Sequence, residues 1–245
     1  MSPFLNNKIQ LLWITFILFF IFLSQCSEKE PNFPKELTFT SSPTAGILPF
    51  FKGENMDPYW KKVTDKELPS DLKRMPEFSF TTHNSTSFSP SELKGKYTLV
   101  TFFYAKCNGI CPMITANMKK FLPNWQKDND VQLISISVNP EVDTVKELMN
   151  FRKNYKINEN KWTHLTGDKL STYTIAREQF GADVTELKGA ANLNDFVHTE
   201  NVFLLDPNMY LRGIYRAKGM GDLERLLIEL KTLRQEFIKN SDSKM

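Results

Sequence analysis

YTLVTFFYAKCNGICPMITANMKKF, residues 97–121, contains the strongest secondary-structure signals of this chain. Its first part, Tyr97–Tyr104, is a largely apolar run of the length and residue types typical of a buried β-strand. Beyond Cys107 and Cys111, apolar residues recur with the helical period and predict an amphipathic helix. They are Ile114, Met118, Phe121, Leu122 and Trp125. The stretch is therefore predicted to be a strand, a loop with two thiols and a helix.

Strands and helices alternate along the rest of the chain. The predicted elements are strands at Phe78–Thr82, Val131–Val138 and Trp162–Leu165, helices opened by Thr144 and over Leu170–Phe180, a hairpin of Val202–Leu205 and Tyr210–Tyr215, and a last helix capped by Asp222. The hairpin turn has Pro207 at its favoured second position. Alternating units that end in a hairpin and a helix predict an α/β fold of the thioredoxin-like type, a central mixed sheet with helices on both faces.

Composition and charge exclude several classes of protein. The 245 residues are 41% hydrophobic and 24% charged, with 13 Pro, 10 Gly and 3 Cys, which excludes collagen, disordered chains and disulfide scaffolds. Lys and Arg number 31 against 28 Asp and Glu, which gives a net charge of +3 without a block of like charges. Because nucleic-acid binding needs a concentrated basic surface, we exclude nucleic acid as a partner.

The amino terminus has the pattern of an export signal. Leu11–Leu23 is an apolar run that follows Lys8 and is too short to span a bilayer comfortably. It leads to Cys26, in a sequence that resembles the lipobox of bacterial lipoproteins except for Gln25. We therefore expect a signal peptide over residues 1–25 and a lipid on Cys26. The alternative is an uncleaved anchor with a spare thiol, and both interpretations export the rest of the chain.

The exported part divides into three segments. Residues 26–74 are rich in Pro, Ser, Thr, Lys and Glu, and we expect them to form a tether and a lead-in, with a mostly flexible spacer up to about residue 70. The thioredoxin-like domain is expected over residues 75–238, and residues 239–245 form a polar tail. All of the predicted strands and helices then belong to one domain.

Cys107 and Cys111 form the candidate reactive site. If Cys26 carries lipid, they are the remaining thiols of the exported part, in a compartment where disulfides persist. They follow the carboxyl end of a strand and begin a helix, whose dipole favours a thiolate, so we expect lowered thiol pKa values. Their spacing lets both sulfurs face one point, either to form a disulfide or to share a soft metal ion such as Cu(I) or zinc. A purely structural disulfide is the alternative.

Histidines and methionines are the candidates for a further ligand. His83 and His164 are not well placed by sequence. His198 lies in a polar stretch just before the strand at residues 202–205, and it faces the Cys-bearing loop if that strand runs antiparallel to Tyr97–Tyr104; the alternative is a solvated loop residue. Four methionines could serve as soft ligands, although methionines more often fill the core. They are Met113, Met118, Met209 and Met220.

Several motifs taken together resemble the SCO/SenC family, thioredoxin-fold copper proteins of cytochrome c oxidase assembly. Residues 75 to about 233 carry these motifs in the order of the family. They are Met75–Phe80 (MPEFSF), Leu93–Lys96 (LKGK), Cys107 and Cys111-Pro112, Ser135–Pro140 (SISVNP) with Asp143-Thr144, and His198 ahead of Phe203–Pro207 (FLLDP). The resemblance implies that the protein binds a copper ion, Cu(I) or Cu(II), with Cys107, Cys111 and His198 as its ligands.

The chain departs from the family pattern around these residues. Asn108 and Gly109 stand where the family usually has Pro and an acidic residue, Val197 where it has Asp, and Asn139 where it has the Asp of an S-V-D-P motif. The ligands themselves are retained. Because an acidic neighbour can orient an imidazole or offset a cation, its absence is expected to alter copper affinity and redox behaviour.

The resemblance also implies a function. It is the delivery of copper to the dinuclear copper centre of a haem-copper oxidase, or the reduction of the cysteines of that centre before loading. The partner is then the copper-centre subunit of the oxidase, and the chain is a metallochaperone for which a thiol-disulfide reductase activity stays open, held by its lipid on a membrane and facing the periplasm of a bacterium. We expect Cys107 and Cys111 to form a disulfide reversibly. A metal-independent thiol-disulfide oxidoreductase and a copper or redox sensor are the alternatives.

We predict that the substitution Cys26→Ala releases the exported protein from the membrane. Without the acyl chains and with the signal peptide removed, no long apolar segment remains to hold it. Detergent-phase partitioning of cell extracts measures this, with Ser27→Ala as the matched control that stays in the detergent phase. Cys26→Ala protein that is still cleaved and still partitions fully into detergent would contradict lipidation.

Overall fold

The computed structural model describes residues 44–61, 68–107, 109–125, 127–158, 160–186 and 196–242, with the backbone alone for residues 186, 196–198 and 241–242. The predicted signal segment Leu11–Leu23, Cys26 and Asn108 lie outside the described residues. Within the described ranges, no helix has both the length and the apolar character that crossing a bilayer requires.

The strands form one large sheet and two small ones. In chain order they are β1 (Phe50–Lys52), β2 (Asp57–Tyr59), β3 (Phe80–Thr82), β4 (Ser87–Phe88), β5 (Tyr97–Phe103), β6 (Val131–Ser137), β7 (Trp162–Thr166), β8 (Val184–Glu186), β9 (Phe196–His198), β10 (Asn201–Leu205) and β11 (Leu211–Arg216). The large sheet has the order β11-β10-β5-β6-β7-β3-β4. The small sheets are the pairs β1-β2 and β8-β9.

The large sheet is mixed, which confirms the prediction from the sequence. Strands β5, β6 and β7 are parallel neighbours, whereas β10 pairs antiparallel with β5 and β3 pairs antiparallel with β7. Every residue of β5 is buried, from Tyr97 to Phe103. A central strand buried on both faces requires a covering layer on each side of the sheet.

Helices provide these layers. They are α1 (Cys111–Phe121), α2 (Val145–Asn154), α3 (Lys169–Thr174) and α4 (Met220–Asp242), with 3-10 turns at Pro90–Leu93 and Leu122–Asn124. On one face, residues of α1 and α2 enclose a small cavity against the sheet. On the other face, Phe180 packs on Phe102 and Phe203, with ring centroids 5.6 and 5.1 Å away. The thioredoxin-like arrangement with helices on both faces is therefore confirmed.

The helix predicted over Leu170–Phe180 has a different form in its second half. It is α-helical through Thr174 and continues as a π-helical turn over Ile175–Gln179. Gly181 follows with a φ of +57°, a left-handed conformation that glycine adopts at little cost. The helix therefore ends before Gly181 as predicted, but its second half is π-helical instead of α-helical.

The last helix starts earlier than predicted. It begins at Met220, so Asp222 lies in its first turn instead of capping it. The Asp222 carboxylate accepts a hydrogen bond from the Arg216 N–H at 2.9 Å. This bond holds the end of β11 against the start of α4, and an acidic residue in the first turn still complements the helix dipole.

The hairpin of β10 and β11 forms around the predicted turn. Asp206 Oδ1 accepts hydrogen bonds from the N–H groups of Asn208 and Tyr210, at 2.9 and 3.0 Å. Met209 has a φ of +68°, which is uncommon for a residue with a side chain. The buried carboxylate of Asp206 therefore stabilises a turn that the local sequence alone leaves strained.

Part of the predicted tether and lead-in, residues 26–74, packs on the large sheet. Leu48 and Phe50 are 4% and 0% exposed, and the Lys73 N–H donates to the Phe51 carbonyl at 2.7 Å. The prolines of this segment break any regular periodicity, but they do not prevent single apolar side chains from being buried. The expected flexible spacer is therefore wrong for the residues around Leu48 and Phe50. The proposed boundary at residue 75 stays a prediction.

A buried guanidinium joins this lead-in to the carboxyl-terminal half of the protein. Arg212 is fully buried and binds Asp206 Oδ2 at 3.1 Å and Glu236 Oε1 at 2.9 Å. It also donates to the carbonyl oxygens of Leu48 and Pro49, at 2.7 and 3.1 Å. Because an interior charge is costly unless it is paired and hydrogen-bonded, each of these partners is needed to keep Arg212 inside.

We predict that Glu236→Gln lowers the free energy of unfolding by about 3 kcal/mol, since it leaves a buried guanidinium partly uncompensated. Urea denaturation of the purified protein measures the change. Glu224→Gln is the matched control, an exposed residue of the same helix, and should stay within about 0.5 kcal/mol of wild type. Equal midpoints for Glu236→Gln and Glu224→Gln would show that the ion network is not needed for stability.

Candidate metal and thiol site

The two cysteines lie in the connection between β5 and α1. The Cys107 N–H donates to the Tyr104 carbonyl at 3.2 Å, which turns the chain after the strand. The Gly109 N–H donates to Cys107 Sγ at 3.4 Å, so the loop folds back on the first sulfur. Cys111 is the first residue of α1, followed by Pro112, whose missing N–H is no loss in a first helical turn.

The two sulfurs are adjacent thiols. Neither forms a disulfide in this structure, and a side-chain hydrogen bond joins Cys111 to Cys107. Cys107 is 8% exposed and Cys111 is 2% exposed. The spacing of the pair therefore does bring both sulfurs to one point, as expected from the sequence.

The acidity of Cys111 differs from the expectation. Burial raises the pKa of its thiol far above the usual range, and the hydrogen bond and the charge interaction with Cys107 raise it further. The prediction of a lowered pKa is wrong for Cys111, because loss of solvent around a buried sulfur outweighs the field of the helix terminus. A thiolate at this position needs a cation to stabilise it.

A buried carboxyl group supports the segment that leads into Cys107. Asp143 is fully buried, and its Oδ2 accepts hydrogen bonds from the Ala105 N–H at 2.9 Å and from Ser137 Oγ at 2.6 Å. Burial raises the pKa of Asp143, while the bonds from Ser137 and Ala105 act in the opposite direction. Asp143 thus ties the end of β5 to the end of β6. Asp143 belongs to a motif of the sequence, but this role could not be predicted there, because burial of a single Asp has no periodic signal.

His198 lies in a strand instead of the predicted loop. It is the last residue of β9 and pairs with Val184 of β8. Three residues further on, β10 begins and runs antiparallel to β5, with Val202 opposite Thr101. The backbone of His198 is therefore near the end of the sheet at which β5 terminates and the Cys-bearing loop begins. Its side chain lies outside the described residues, so its proposed role as a ligand stays a prediction.

The side chains that the structure describes contain no group of three His, Cys, Asp or Glu residues able to hold a metal ion. The methionine candidates separate into two pairs. Met118 and Met209 are buried in the core, as the more common interpretation predicts. Met113 and Met220 are exposed on the surface. The thiol pair is thus the described part of the predicted site.

The two histidines set aside by the sequence analysis form a buried cluster. His83 and His164 rings are 6.1 Å apart, and Arg152 Nη1 lies 3.1 Å from His164 Nδ1. His164 is fully buried and lines the same cavity as Cys111. Sequence spacing could not reveal this, because β7 and α1 are brought together by the tertiary fold.

The fold and the loop define a thioredoxin-like protein with an adjacent thiol pair at the start of a helix. Residues 66–233 match the model of the SCO1/SenC family, and the chain belongs to that family. A curated relative, the SCO1 protein homolog of Bacillus subtilis (strain 168), is 32% identical over 133 residues, which are 54% of this chain and 67% of the relative.

Solved structures share the architecture. The SCO1/SenC family lipoprotein from Bacillus anthracis str. Ames superposes with a TM-score of 0.60 at 25% identity and covers 66% of this chain and 95% of its own. BsSco, a member of the Sco family of cytochrome c oxidase assembly proteins with a disulfide switch, gives a TM-score of 0.57 at 26% identity, with 66% and 94% covered. These matches confirm the family resemblance drawn from the motifs.

We predict that the protein loses stability as the pH falls from 6.5 to 4. Burial, with a further contribution from Arg152, lowers the pKa of His83 from 6.5 to about 4 and that of His164 well below 6.5. In this range the unfolded chain binds more protons than the folded protein, so acid favours unfolding.

Thermal melts across this pH range measure the effect. His83→Phe should show a shallower loss than wild type, because one of the two buried imidazoles no longer titrates. Asn84→Gln, a change at the exposed neighbouring residue, should follow wild type. Identical pH slopes for His83→Phe and wild type would show that His83 does not contribute.

Proposed function

We propose that this chain binds copper through Cys107, Cys111 and His198 and delivers it to the dinuclear copper centre of a haem-copper oxidase. The observation that carries the proposal is the thiol pair, two hydrogen-bonded sulfurs in one short loop of a SCO1/SenC protein. Copper is the cargo of this protein, and the target is the copper-centre subunit of the oxidase.

The donor set favours copper over zinc. Two sulfur donors suit a soft ion such as Cu(I), whereas a structural zinc site takes four protein ligands. With His198 the proposed set has three donors, one short of a closed zinc site. Copper tolerates three ligands, and an open coordination position lets an incoming ligand bind before an outgoing one leaves.

Ligand exchange provides the route for delivery. A thiol of the target enters the coordination sphere and displaces Cys107, Cys111 or His198, one at a time. Each thiolate that leaves the metal takes up a proton, and the raised pKa of Cys111 makes its return to the neutral thiol favourable. Burial of Cys111 therefore favours release of the metal ion.

The surroundings of the site differ from the common family pattern. Asn139 is buried, and its N–H donates to Ser137 Oγ at 3.0 Å. Asn139 thus places a neutral side chain beside the hydrogen-bonded pair of Ser137 and Asp143. Together with Val197 beside His198, this removes two negative charges that could stabilise a bound cation, and weaker or redox-shifted copper binding is the expected result.

Membrane tethering belongs to the same proposal. It is supported by the apolar segment before Cys26 and by the similarity to a SCO1/SenC family lipoprotein. A lipid on Cys26 would hold the domain at the membrane surface on the periplasmic side, where a membrane-bound oxidase exposes its copper-centre subunit.

A second candidate function uses the same thiols without metal. Oxidation of Cys107 and Cys111 to a disulfide releases two protons and two electrons, and these can reduce a disulfide of a partner to two thiols. The two adjacent thiols, which form no disulfide in this structure, favour this reaction, and BsSco is described with a disulfide switch. Reduction of the target cysteines before copper loading is the biological form of this activity, and His198 has no necessary part in it.

We predict that the reduced full-length protein binds one copper ion per chain and that His198→Ala weakens Cu(II) binding more than Cu(I) binding. Two thiolates can hold Cu(I) in a linear arrangement, but Cu(II) prefers nitrogen donors and more ligands. Copper titration with competing chelators measures both affinities. The Cu(II) form should show a thiolate-to-copper charge-transfer band that Cys107→Ser or Cys111→Ser abolishes.

The matched control is His83→Phe, which removes another imidazole, and it should bind copper like wild type. Unfolding midpoints of all variants show whether a loss of binding reflects a loss of fold. If His198→Ala binds both oxidation states like wild type, while Cys107→Ser abolishes reduction of a disulfide substrate, the oxidoreductase replaces the copper carrier as the function.

A further inference from the structure

A small cavity, lined mainly by apolar side chains, lies beside Cys111 on the inner side of α1. His164 of β7 is in register with Ser135 of β6, which is in register with Thr101 of β5. These three residues line the cavity together with Cys111 and Thr115 of α1. Its volume is about 10 Å³, which is at the lower limit for a single water molecule.

The proton of His164 has a defined position. Arg152 Nη1 is 3.1 Å from His164 Nδ1, and a guanidinium can only donate hydrogen bonds. Nδ1 must therefore be the acceptor. Burial, followed by the charge of Arg152, lowers the pKa of His164 well below 6.5, so the ring is neutral and carries its single proton on Nε2.

This Nε2–H group has no hydrogen-bond partner among the described residues. His164 is completely buried, so bulk water does not reach it. Buried donors in proteins are almost always satisfied by a protein group or by an ordered water. Several other residues that line the cavity carry groups able to accept such a bond, namely the thiol of Cys111 and the hydroxyls of Thr101, Thr115 and Ser135, while Trp162 Nε1–H already donates to Ser135.

Ser135 is already occupied by other partners. Its hydroxyl accepts a hydrogen bond from Trp162 Nε1 at 2.8 Å and lies 2.6 Å from Thr101 Oγ1. Cys111 also borders the cavity; the residue is 2% exposed and its thiol is hydrogen-bonded to Cys107, so bulk water does not solvate it. The unpartnered donor and the poorly solvated sulfur border the same space.

We propose that one structural water occupies this cavity, accepts a hydrogen bond from His164 Nε2–H and donates one to Cys111 Sγ. His164 then acts as a positioning residue for the second thiol, held in the required tautomer by Arg152. The water site itself is independent of copper. Its effect on the metal rests on the proposed function: when Cys111 is bound as a thiolate, the water supplies a hydrogen bond from the protein interior to a charged sulfur.

Nuclear magnetic resonance of the reduced, metal-free, full-length protein tests the water site directly. Long-range proton–nitrogen spectra of the histidine rings should show His164 protonated at Nε2, and that proton should give a cross-peak to a long-lived bound water. A proton on Nδ1, or an Nε2 proton without contact to water, would overturn the proposal. This measurement uses wild-type protein and remains decisive if a variant does not fold.

Copper affinity tests the positioning role. His164→Phe keeps an aromatic ring in place but removes the Nε2–H group, and it should weaken copper binding roughly ten- to a hundred-fold. His83→Phe changes the neighbouring buried imidazole, which does not line the cavity, and should bind like wild type. Equal copper affinities of folded His164→Phe and wild type would refute the positioning role. Failure of wild type to bind copper would instead refute the proposed function and leave the water site to be decided by the spectra.

Discussion

The charge of Arg212 is the constraint on which the arrangement of the carboxyl-terminal half depends. A guanidinium that is cut off from solvent must find acceptors for its donors, and here the acceptors come from three separate parts of the chain. Asp206 belongs to the β10-β11 turn, Glu236 to α4, and Leu48 to the lead-in. The position of each part is therefore fixed relative to the other two. The ring of Phe50 also packs on this guanidinium, whose central carbon lies 4.0 Å from the ring centroid, and shields it from solvent.

The contacts of Arg212 and Asp206 also help to position the thiol site, because the large sheet connects the two regions. The β10-β11 hairpin that Asp206 organises pairs with β5, and β5 carries the loop with Cys107. On the other side of β5, Asp143 joins that loop to β6. Two buried carboxylates at opposite ends of the strand thus hold the strand and its loop in register. The reactive sulfurs sit on a rigid support, which is the condition for a preorganised ligand pair.

Much of the large sheet could be predicted from the sequence because its strands are long, apolar runs between strong helix signals. Val131–Val138 and the Thr144 cap are examples, and the structure has Thr144 Oγ1 accepting from the Glu147 N–H at 3.4 Å. The short pairs β1-β2 and β8-β9 could not be predicted. Strands of three residues give too few alternations to stand out from loop sequence, and their pairing is set by tertiary contacts.

The candidate site likewise has features that could be predicted from the sequence and features that could not. Two cysteines separated by three residues after a buried strand are a local signal in the sequence, and in the structure their sulfurs lie together. The acidity of Cys111 is not a local property, since it depends on how deeply α1 buries the sulfur. The nearness of His164 to Cys111 depends on register between β5, β6 and β7, which links residues more than fifty positions apart.

The ribbon of β8 and β9 has a consequence for kinetics. It contains three residue pairs and, within the described residues, joins no other strand, whereas β5 pairs with β6 along its full length and with β10 over residues 98–101. A two-stranded ribbon of this size opens at a much lower free energy than the centre of a large sheet. Amide hydrogens of the ribbon should therefore exchange with solvent while those of β5 stay protected. If His198 binds the metal ion as proposed, one ligand belongs to this ribbon and the other two to the loop after β5, so local opening of the ribbon would remove one ligand without unfolding of the domain.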